Sequence, residues 1–432
     1  MNSLWQKTAK RPVFPTLSGG FSTDVLIVGG GMAGLLCAYR LAEAGVDCAL
    51  VESGRICDGT TGNTTAKITV QHGAVFDKTI RRFGVEQSRR YFAAQTAALD
   101  AYRALAREIE CDFEECDSYV YSLDSAARIE REVAALLRLG GRAEFVSGGE
   151  LPFLVAGAAR LTGQAQFHPL KFAFAIAKNL RIFEHTKVQE FLFDGVLTNR
   201  GKIKAQRVVI ATHFPILNKH GAFFLKMYQH RSYVLALKGA PHVDGMWVDA
   251  EKTGISLRRY DDLLLVGGGA HRTGKRGGGF EELEEFAAKY CDGARVMARW
   301  AAQDCITLDD LPYIGQYSPR TPHLFVATGF NKWGMTSSML AADLLCALLQ
   351  EKSHPCEKLL SPARSVWRPR LLSNAAHSIT GLLSPTVPRC PHLGCALKYN
   401  KAEHSWDCSC HGSRFSEEGK LLDGPATDDK KL

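Results

Sequence analysis

The sequence predicts an α/β fold: a parallel sheet covered by helices, a second, antiparallel sheet of α+β type, and a small all-β module at the C-terminal end. Three observations predict it. A β-α-β unit opens the chain, with an apolar run at Asp24–Val28, a Gly-rich turn at 29–34, a helix from Leu35 to Ala44 and a second apolar run at Cys48–Val51. Residues 231–237 and 262–267 have the pattern of sheet strands, with Gly-rich turns expected at 267–269 and 277–279. Four of the thirteen cysteines crowd into 390–410 with two histidines beside them.

Length and composition bound the rest. At 432 residues the chain holds about two to four domains. Hydrophobic residues at 46% and charged residues at 23% are globular proportions. Mean hydropathy is −0.11, and no run approaches the roughly 18 apolar residues of a membrane helix. Lys plus Arg number 53 against 45 acidic residues. No dense basic run accompanies that mild excess, which excludes nucleic acid as a partner and leaves a modest preference for anionic ligands. Met1–Gly20 has no apolar stretch after its basic residues and no twin-arginine signal, and nine cysteines are scattered between Cys37 and Cys356. Both point to a reducing, cytoplasmic location.

The remaining elements follow in order. Apolar residues at helical spacing run through 87–110, and His168-Pro169 opens another helix with Pro in the first turn. Val208–Thr212 and Phe325–Thr328 read as buried strands, and 338–350 as a helix. Residues 353–385 are Pro-containing and aperiodic and read as a linker.

Gly29-Gly30-Gly31-Met32-Ala33-Gly34 fits G-x-G-x-x-G after a strand and at the start of a helix, with Glu52 following 23 residues after Gly29. Gly29 permits the tight turn, Gly31 lets backbone amides approach a pyrophosphate, and Gly34 lets helix and strand pack closely. The helix N-terminus favours the anion, and Glu52 can accept ribose hydroxyls. Three further segments occur in order: the polar loop Gly59–Lys67, Asp310-Leu-Pro-Tyr-Ile-Gly315, and Gly329-Phe-Asn-Lys-Trp-Gly-Met-Thr336. With the Gly-rich turn, they make residues 24–350 resemble the FAD-dependent amine and amino-acid oxidoreductases of the D-amino-acid oxidase, glycine oxidase and sarcosine oxidase superfamily.

That resemblance implies site roles. Gly29, Gly31, Met32, Ala33 and Gly34 line the FAD pyrophosphate, and Glu52 with Ser53 holds the adenosine ribose. Thr60, Thr61 and Thr65 approach the ribityl chain and isoalloxazine. Val188 meets adenine through its backbone, with Ala211 and Thr212 at the adenosine half. Gly329, Gly334, Met335 and Thr336 bring a helix N-terminus to the flavin edge, where its dipole stabilises an anionic reduced ring. A reductase with a dedicated NAD domain needs a second Gly-rich fingerprint. Gly267–Arg272 is the one candidate; it lacks the third Gly and lies among antiparallel strands.

Cys390-Pro-His392 and Cys408-Ser-Cys-His411 form C-x-H and C-x-x-H pairs with fifteen residues between them. Two Cys and two His would also suit zinc. Cys395, Cys410, Gly394 and Gly412-Ser413 at their offsets make the segment resemble the Rieske [2Fe–2S] domain. The resemblance implies Cys390, His392, Cys408 and His411 as ligands and a Cys395–Cys410 disulfide joining the two loops. Two thiolates on one iron and two imidazoles on the other raise the potential above that of all-Cys clusters. Three departures are visible: Ser409 replaces a Pro, Phe415 stands where high-potential members carry a sulfur-bonding Tyr, and 371–389 is too short for the strands that usually precede the first ligand.

Together these imply an FAD-binding domain at 24–90, 165–215 and 305–352, after an N-terminal extension at 1–23. A substrate domain takes 91–164 and 216–304, a linker 353–385, and the Rieske domain 386–432. The expected activity is oxidation of a small amine or amino acid by hydride transfer to flavin, with single electrons leaving through the cluster to an acceptor protein or quinone. Lys332, Trp333, Arg231 and His271 are the candidate catalytic and substrate-positioning groups, with Tyr228, Tyr233 and Arg258 behind them. Arg231 is suited to pair a carboxylate bidentately. No D-x-x-H-x-x-x-x-H run provides a mononuclear iron site, and His213 and His220 read as surface or satisfied histidines. Two other readings stay open: an electron-transfer reductase fed by NADH or a redox protein, and a non-catalytic redox sensor.

Overall fold

The computed structural model describes residues 2–149, 151–217, 220–251, 254–275, 277–365, 374, 381–383 and 388–430. One sheet has the strand order Tyr313–Gln316, Leu324–Thr328, Gly201–Ile210, Phe21–Val28, Cys48–Val51, Ile182–Phe183. Its inner pairings are parallel, from Leu324–Thr328 through to Ile182–Phe183. Both faces are covered. Val25 and Ile27 pack toward the helices Met32–Glu43 and Gly334–Leu349, while Leu26 and Val28 pack toward a second apolar cluster. Burial on both faces is why these strands read as unbroken apolar runs.

The second sheet runs Arg295–Thr307, Met227–Lys238, Leu263–Arg272, Ser256–Tyr260, Met246–Asp249, Glu114–Ser122, Gly157–Gln166, Lys67–Ile68. Its pairings are antiparallel except between Met246–Asp249 and Glu114–Ser122. The strand Arg295–Thr307 continues across the boundary expected at 304/305. Gly267–Gly269 is not a turn, as expected, but the middle of Leu263–Arg272. A Cβ on Gly268 would come within 2.6 Å of Ile255, and Gly269 takes φ +57 where Gly279 N donates to its carbonyl at 3.1 Å. These glycines serve close approach of backbone rather than chain reversal.

The helix expected over 87–110 starts earlier and spans Phe76–Leu105, turning at Gly84, whose φ is +79. The early section of the expected linker is packed. Cys356 and Leu360 are fully buried, and Arg364 forks onto Asp309 through Nε and Nη2, each at 2.8 Å. Most of 366–387 lies outside the described residues; within it, Asn374 accepts from Arg272 and donates to the Leu225 carbonyl. The C-terminal module has four antiparallel strands: Leu397–Asn400, Ser405–Cys408, Arg414–Ser416 and Leu421–Asp423.

The first 23 residues hold a short capped helix, Leu4–Thr8, pressed against the Gly59–Lys67 loop. Trp5 is fully buried and its indole N–H donates to the Thr64 carbonyl at 2.6 Å, while the Ser3 hydroxyl donates to the Gly62 carbonyl. Nothing in the periodicity of this segment marked it as a brace for that loop.

Candidate functional site

The Gly-rich turn has the expected close contacts. A Cβ on Gly29 would lie 2.6 Å from the Ala211 carbonyl, and one on Gly34 would run into the Gly29 carbonyl. Gly31 meets only Thr61 Oγ1, at 3.3 Å, so open space remains in front of the turn for a pyrophosphate. Thr61 accepts from Met32 N at 2.9 Å and so fixes the loop to the helix start beside Ala33. Glu52 ends its strand and accepts from Gly30 N and Gly54 N at 2.8 Å each and from Ser53 Oγ at 2.9 Å. Val188 is buried at the start of strand Val188–Leu192, and Ala211 N donates to Val28 O at 2.8 Å. Thr212 caps its own turn onto the Phe214 carbonyl. The cradle fits a dinucleotide.

The Gly329–Thr336 segment reaches the same region. Gly329, Asn331 and Lys332 take φ values of +73, +53 and +75. Asn331 stabilises this bend, accepting from Thr307 N at 2.8 Å and donating to Gly329 O at 2.8 Å. Gly334 then starts a 16-residue helix. Trp333 stacks flat on His72, with ring centroids 5.2 Å apart and planes at 8°. His72 Nε2 lies 3.0 Å from Thr336 Oγ1, and Met335 O accepts from Tyr102. Burial lowers the His72 pKa to about 3, so its ring is neutral. Asn331 stood inside the Gly329–Thr336 motif without a role assigned to it, and His72 carried no motif signal, only nearness in sequence to the Thr65 loop.

The antiparallel sheet separates two kinds of residue by the alternation of its strands. Val234 and Ala236, opposite Trp300 and Ala298, face the flavin-domain core. In the same register Tyr228, His230, Ser232 and Asp304 share that face. Gln229, Arg231, Tyr233 and Gln303 point to the other side, where the C-terminal module sits.

Two expected positioning groups are therefore placed elsewhere. Arg231 is 7% exposed and forks onto Glu403 of the module, with its Nε 2.7 Å from Oε2. His271 stacks on Tyr233 and lies 3.1 Å from its hydroxyl, on the module side. Arg258 is buried and gives its Nη1 to the carbonyls of Thr65 and Ala66 at 2.8 and 2.7 Å; it braces the flavin loop. His213 is also a correction. Its φ is +64, and its Nε2 is buried with no hydrogen-bond partner.

In the C-terminal module two loops repeat one turn: Gly394 N donates to Cys390 O and Gly412 N to Cys408 O, both at 2.9 Å. The turns bring Cys390 and Cys408 into thiol contact and the His392 and His411 rings to 5.0 Å. The hydrogen bond from Cys408 lowers the Cys390 pKa to about 7 against the opposing effect of burial. Burial lowers His411 to about 3 and His392 to about 4. The same hydrogen bond and burial push the Cys408 thiol up, so the pair gives up one proton readily; a thiolate beside two neutral imidazoles is what metal ligation begins from. Both ring nitrogens of His411 are buried without a hydrogen-bond partner, an arrangement that fits a bound group. Cys395 and Cys410 form a disulfide linking the loops. The Ser413 hydroxyl contacts the Cys390 sulfur, a bond that residue spacing alone does not reveal.

These loops dock on the sheet. Gln229 Nε2 donates to His411 O at 2.7 Å, and Gln303 Nε2 donates to Gly412 O at 2.9 Å. Arg272 donates to the Ser409 and Cys410 carbonyls. From the opposite direction Thr60 Oγ1 donates to the Gln303 carbonyl at 2.8 Å. One residue of the edge strand thus joins the flavin loop to the cluster loop.

Comparison with known proteins agrees with this geometry. Residues 24–348 match the family model for FAD dependent oxidoreductases, and 375–431 that for the Rieske [2Fe-2S] domain. The Rieske 2Fe-2S iron-sulfur protein YhfW of Bacillus subtilis is 32% identical, with 98% of this chain and 96% of that protein covered. The gamma-glutamylputrescine oxidoreductase of Escherichia coli is 24% identical over 78% of this chain and 86% of its own. The crystal structure of glycine oxidase from Geobacillus kaustophilus superposes with a TM-score of 0.67, at 22% identity over 80% of this chain and 99% of that one. The chain belongs to the FAD-dependent oxidoreductase family and carries a C-terminal Rieske domain. It is an enzyme of that family, and its cofactors are FAD and a [2Fe–2S] cluster. Among the described residues no helix is long and apolar enough to cross a membrane.

Proposed function

We propose that the protein oxidises a small amine or amino acid and delivers the electrons singly through the Rieske cluster to an external redox protein or quinone. The observation that carries this reading is the double engagement of Gln303, whose carbonyl holds Thr60 of the flavin loop and whose amide holds Gly412 of the cluster loop. Bound FAD supplies a hydride acceptor and the cluster a one-electron carrier.

The chain's own residues do the rest. The backbone at Gly29–Gly34 cradles the pyrophosphate, Glu52 takes the ribose, and the Gly334–Leu349 helix start aims its dipole at the flavin edge. Trp333, held flat by His72, and Lys332 beside it wall the substrate space. The relatives support both substrate classes: one is named for an amine and the superposed structure for glycine. The nine cysteines between Cys37 and Cys356 form no disulfide, which supports a cytoplasmic setting.

Anaerobic titration of the holoenzyme tests the reading, following flavin absorbance and the paramagnetic resonance of the cluster together. The expected result is a reduced-cluster signal that grows as an amine or amino acid bleaches the flavin. A flavin that stays oxidised with a broad panel of both, or one bleached by NADH alone, overturns it.

A further inference from the structure

A substrate carboxylate is most simply held by an arginine fork, and the strands facing the flavin domain offer none. Arg258 has its Nη1 on the Thr65 and Ala66 carbonyls and its Nε on the Arg259 carbonyl. Arg231 is on the opposite face, bound to Glu403. Arg272 is spread over Ser409, Cys410 and Asn374. Arg299 and Arg259 fall on the far side by strand register, the former near Glu284. Lys67 donates to the Thr65 and Ser256 hydroxyls. Burial, with Arg258 nearby, lowers its pKa to about 7, which makes it a weak partner for an anion above neutrality.

Asp304 is the contrasting group. It lies opposite His230, in register with Trp300 on the flavin-facing side, and in the field of Lys332, His213 and, through the sheet, Arg231, whose own charge is met by Glu403. Its carboxylate accepts no hydrogen bond and forms no ion pair within 4 Å from a described residue. A largely buried carboxylate without a donor is costly unless a cation or a proton meets it. Lys332 shares this field with Asp304, so the two present no net positive charge to an incoming carboxylate.

We infer that the substrate is a cationic amine without an α-carboxylate, and that the Asp304 carboxylate recognises its ammonium. The inference rests on the amine-oxidising reading above and narrows it. The holoenzyme is titrated anaerobically with n-butylamine and putrescine, and separately with glycine, L-proline and acetate. Perturbation of the flavin absorbance band reports binding, and its bleaching reports reduction. The two amines are expected to bind at least tenfold more tightly than glycine or L-proline. Asp304→Asn, loaded with FAD to the wild-type ratio, is expected to lose at least tenfold in amine binding with acetate unchanged or tighter, while Asp304→Glu retains amine binding. Glycine or L-proline binding as tightly as the amines, or amine binding unaltered in Asp304→Asn, overturns the inference. Should Asp304→Asn not load FAD, the wild-type comparison of amines with amino acids decides alone. Amines that bind tightly without bleaching the flavin leave the recognition site standing and remove the oxidation reading instead.

Discussion

At the scale of single residues, Gly34 and Ser413 illustrate two kinds of dependence. Gly34 touches the Gly29 carbonyl so closely that no Cβ fits. Gly34→Ala is expected to force the helix off the strand and abolish FAD retention, read as the flavin-to-protein absorbance ratio. Ser413 acts on a potential instead of on packing. Its hydroxyl bonds the Cys390 sulfur, and such a bond stabilises the more negative, reduced cluster. At about 1 kcal/mol for the bond, Ser413→Ala is expected to lower the midpoint potential by about 40 mV. Phe415, fully buried, has no hydroxyl to replace it. A redox titration followed by paramagnetic resonance measures the shift.

At the scale of elements, the cluster loops are held to the sheet by a buried ion network. Glu403 receives Arg231 and also Arg414 at 3.1 Å, and Arg414 reaches Asp407 and Asp423 at 3.0 and 3.1 Å. Burial alone would raise the Glu403 pKa, but the two guanidiniums outweigh it and hold the carboxyl at about 2. A depressed carboxylate pKa stabilises docking above its unfolded value near 4.5, and that contribution is lost as pH falls from there toward 2. Cluster reduction by flavin is therefore expected to fail in acid before the flavin domain unfolds, which stopped-flow absorbance at stepped pH measures. Glu403→Gln removes one carboxylate from a network in which Arg414 keeps Asp407 and Asp423 and Arg231 keeps Asp423, and is expected to weaken docking by about 1–3 kcal/mol. In that variant substrate should still bleach the flavin while the cluster signal appears more slowly.

At the scale of the whole molecule, the N-terminal segment and the C-terminal module brace the flavin loop from opposite sides. Trp5 packs under the loop, edge-on to His168 and Tyr260, with Arg258 5.5 Å from its ring. Trp5→Ala is expected to cost about 3–5 kcal/mol and to lower both FAD content and melting temperature, measured by flavin fluorescence during heating. Cys408→Ser, by contrast, is expected to remove the cluster signal with flavin reduction by substrate intact. The cluster takes electrons after the flavin and binds no substrate in the proposed scheme. Loss of flavin reduction in that variant would contradict the order of transfer.

Much of this was legible in the chain. The β-α-β unit, the Gly-rich turn with Glu52, and the two Cys/His loops are local patterns. Each is dictated by contacts within about 30 residues, so spacing alone carries them. The parallel strands were legible because burial on both faces leaves an unbroken apolar run. Other features depended on residues far apart. Arg231 looks the same in sequence whether it meets a substrate carboxylate or Glu403, 172 residues away. Strand register put it on the cluster side and Asp304 on the flavin side, since a strand turns successive side chains to opposite faces. Gly267–Gly269 looked like a turn because the pressing backbone of Gly279 belongs to another segment. The sequence by itself determined which cofactors the chain holds. Only the tertiary structure decided which charges face them and how the two sites meet at Gln303, because cofactor motifs are local while a site's charge is set by which distant strands lie side by side.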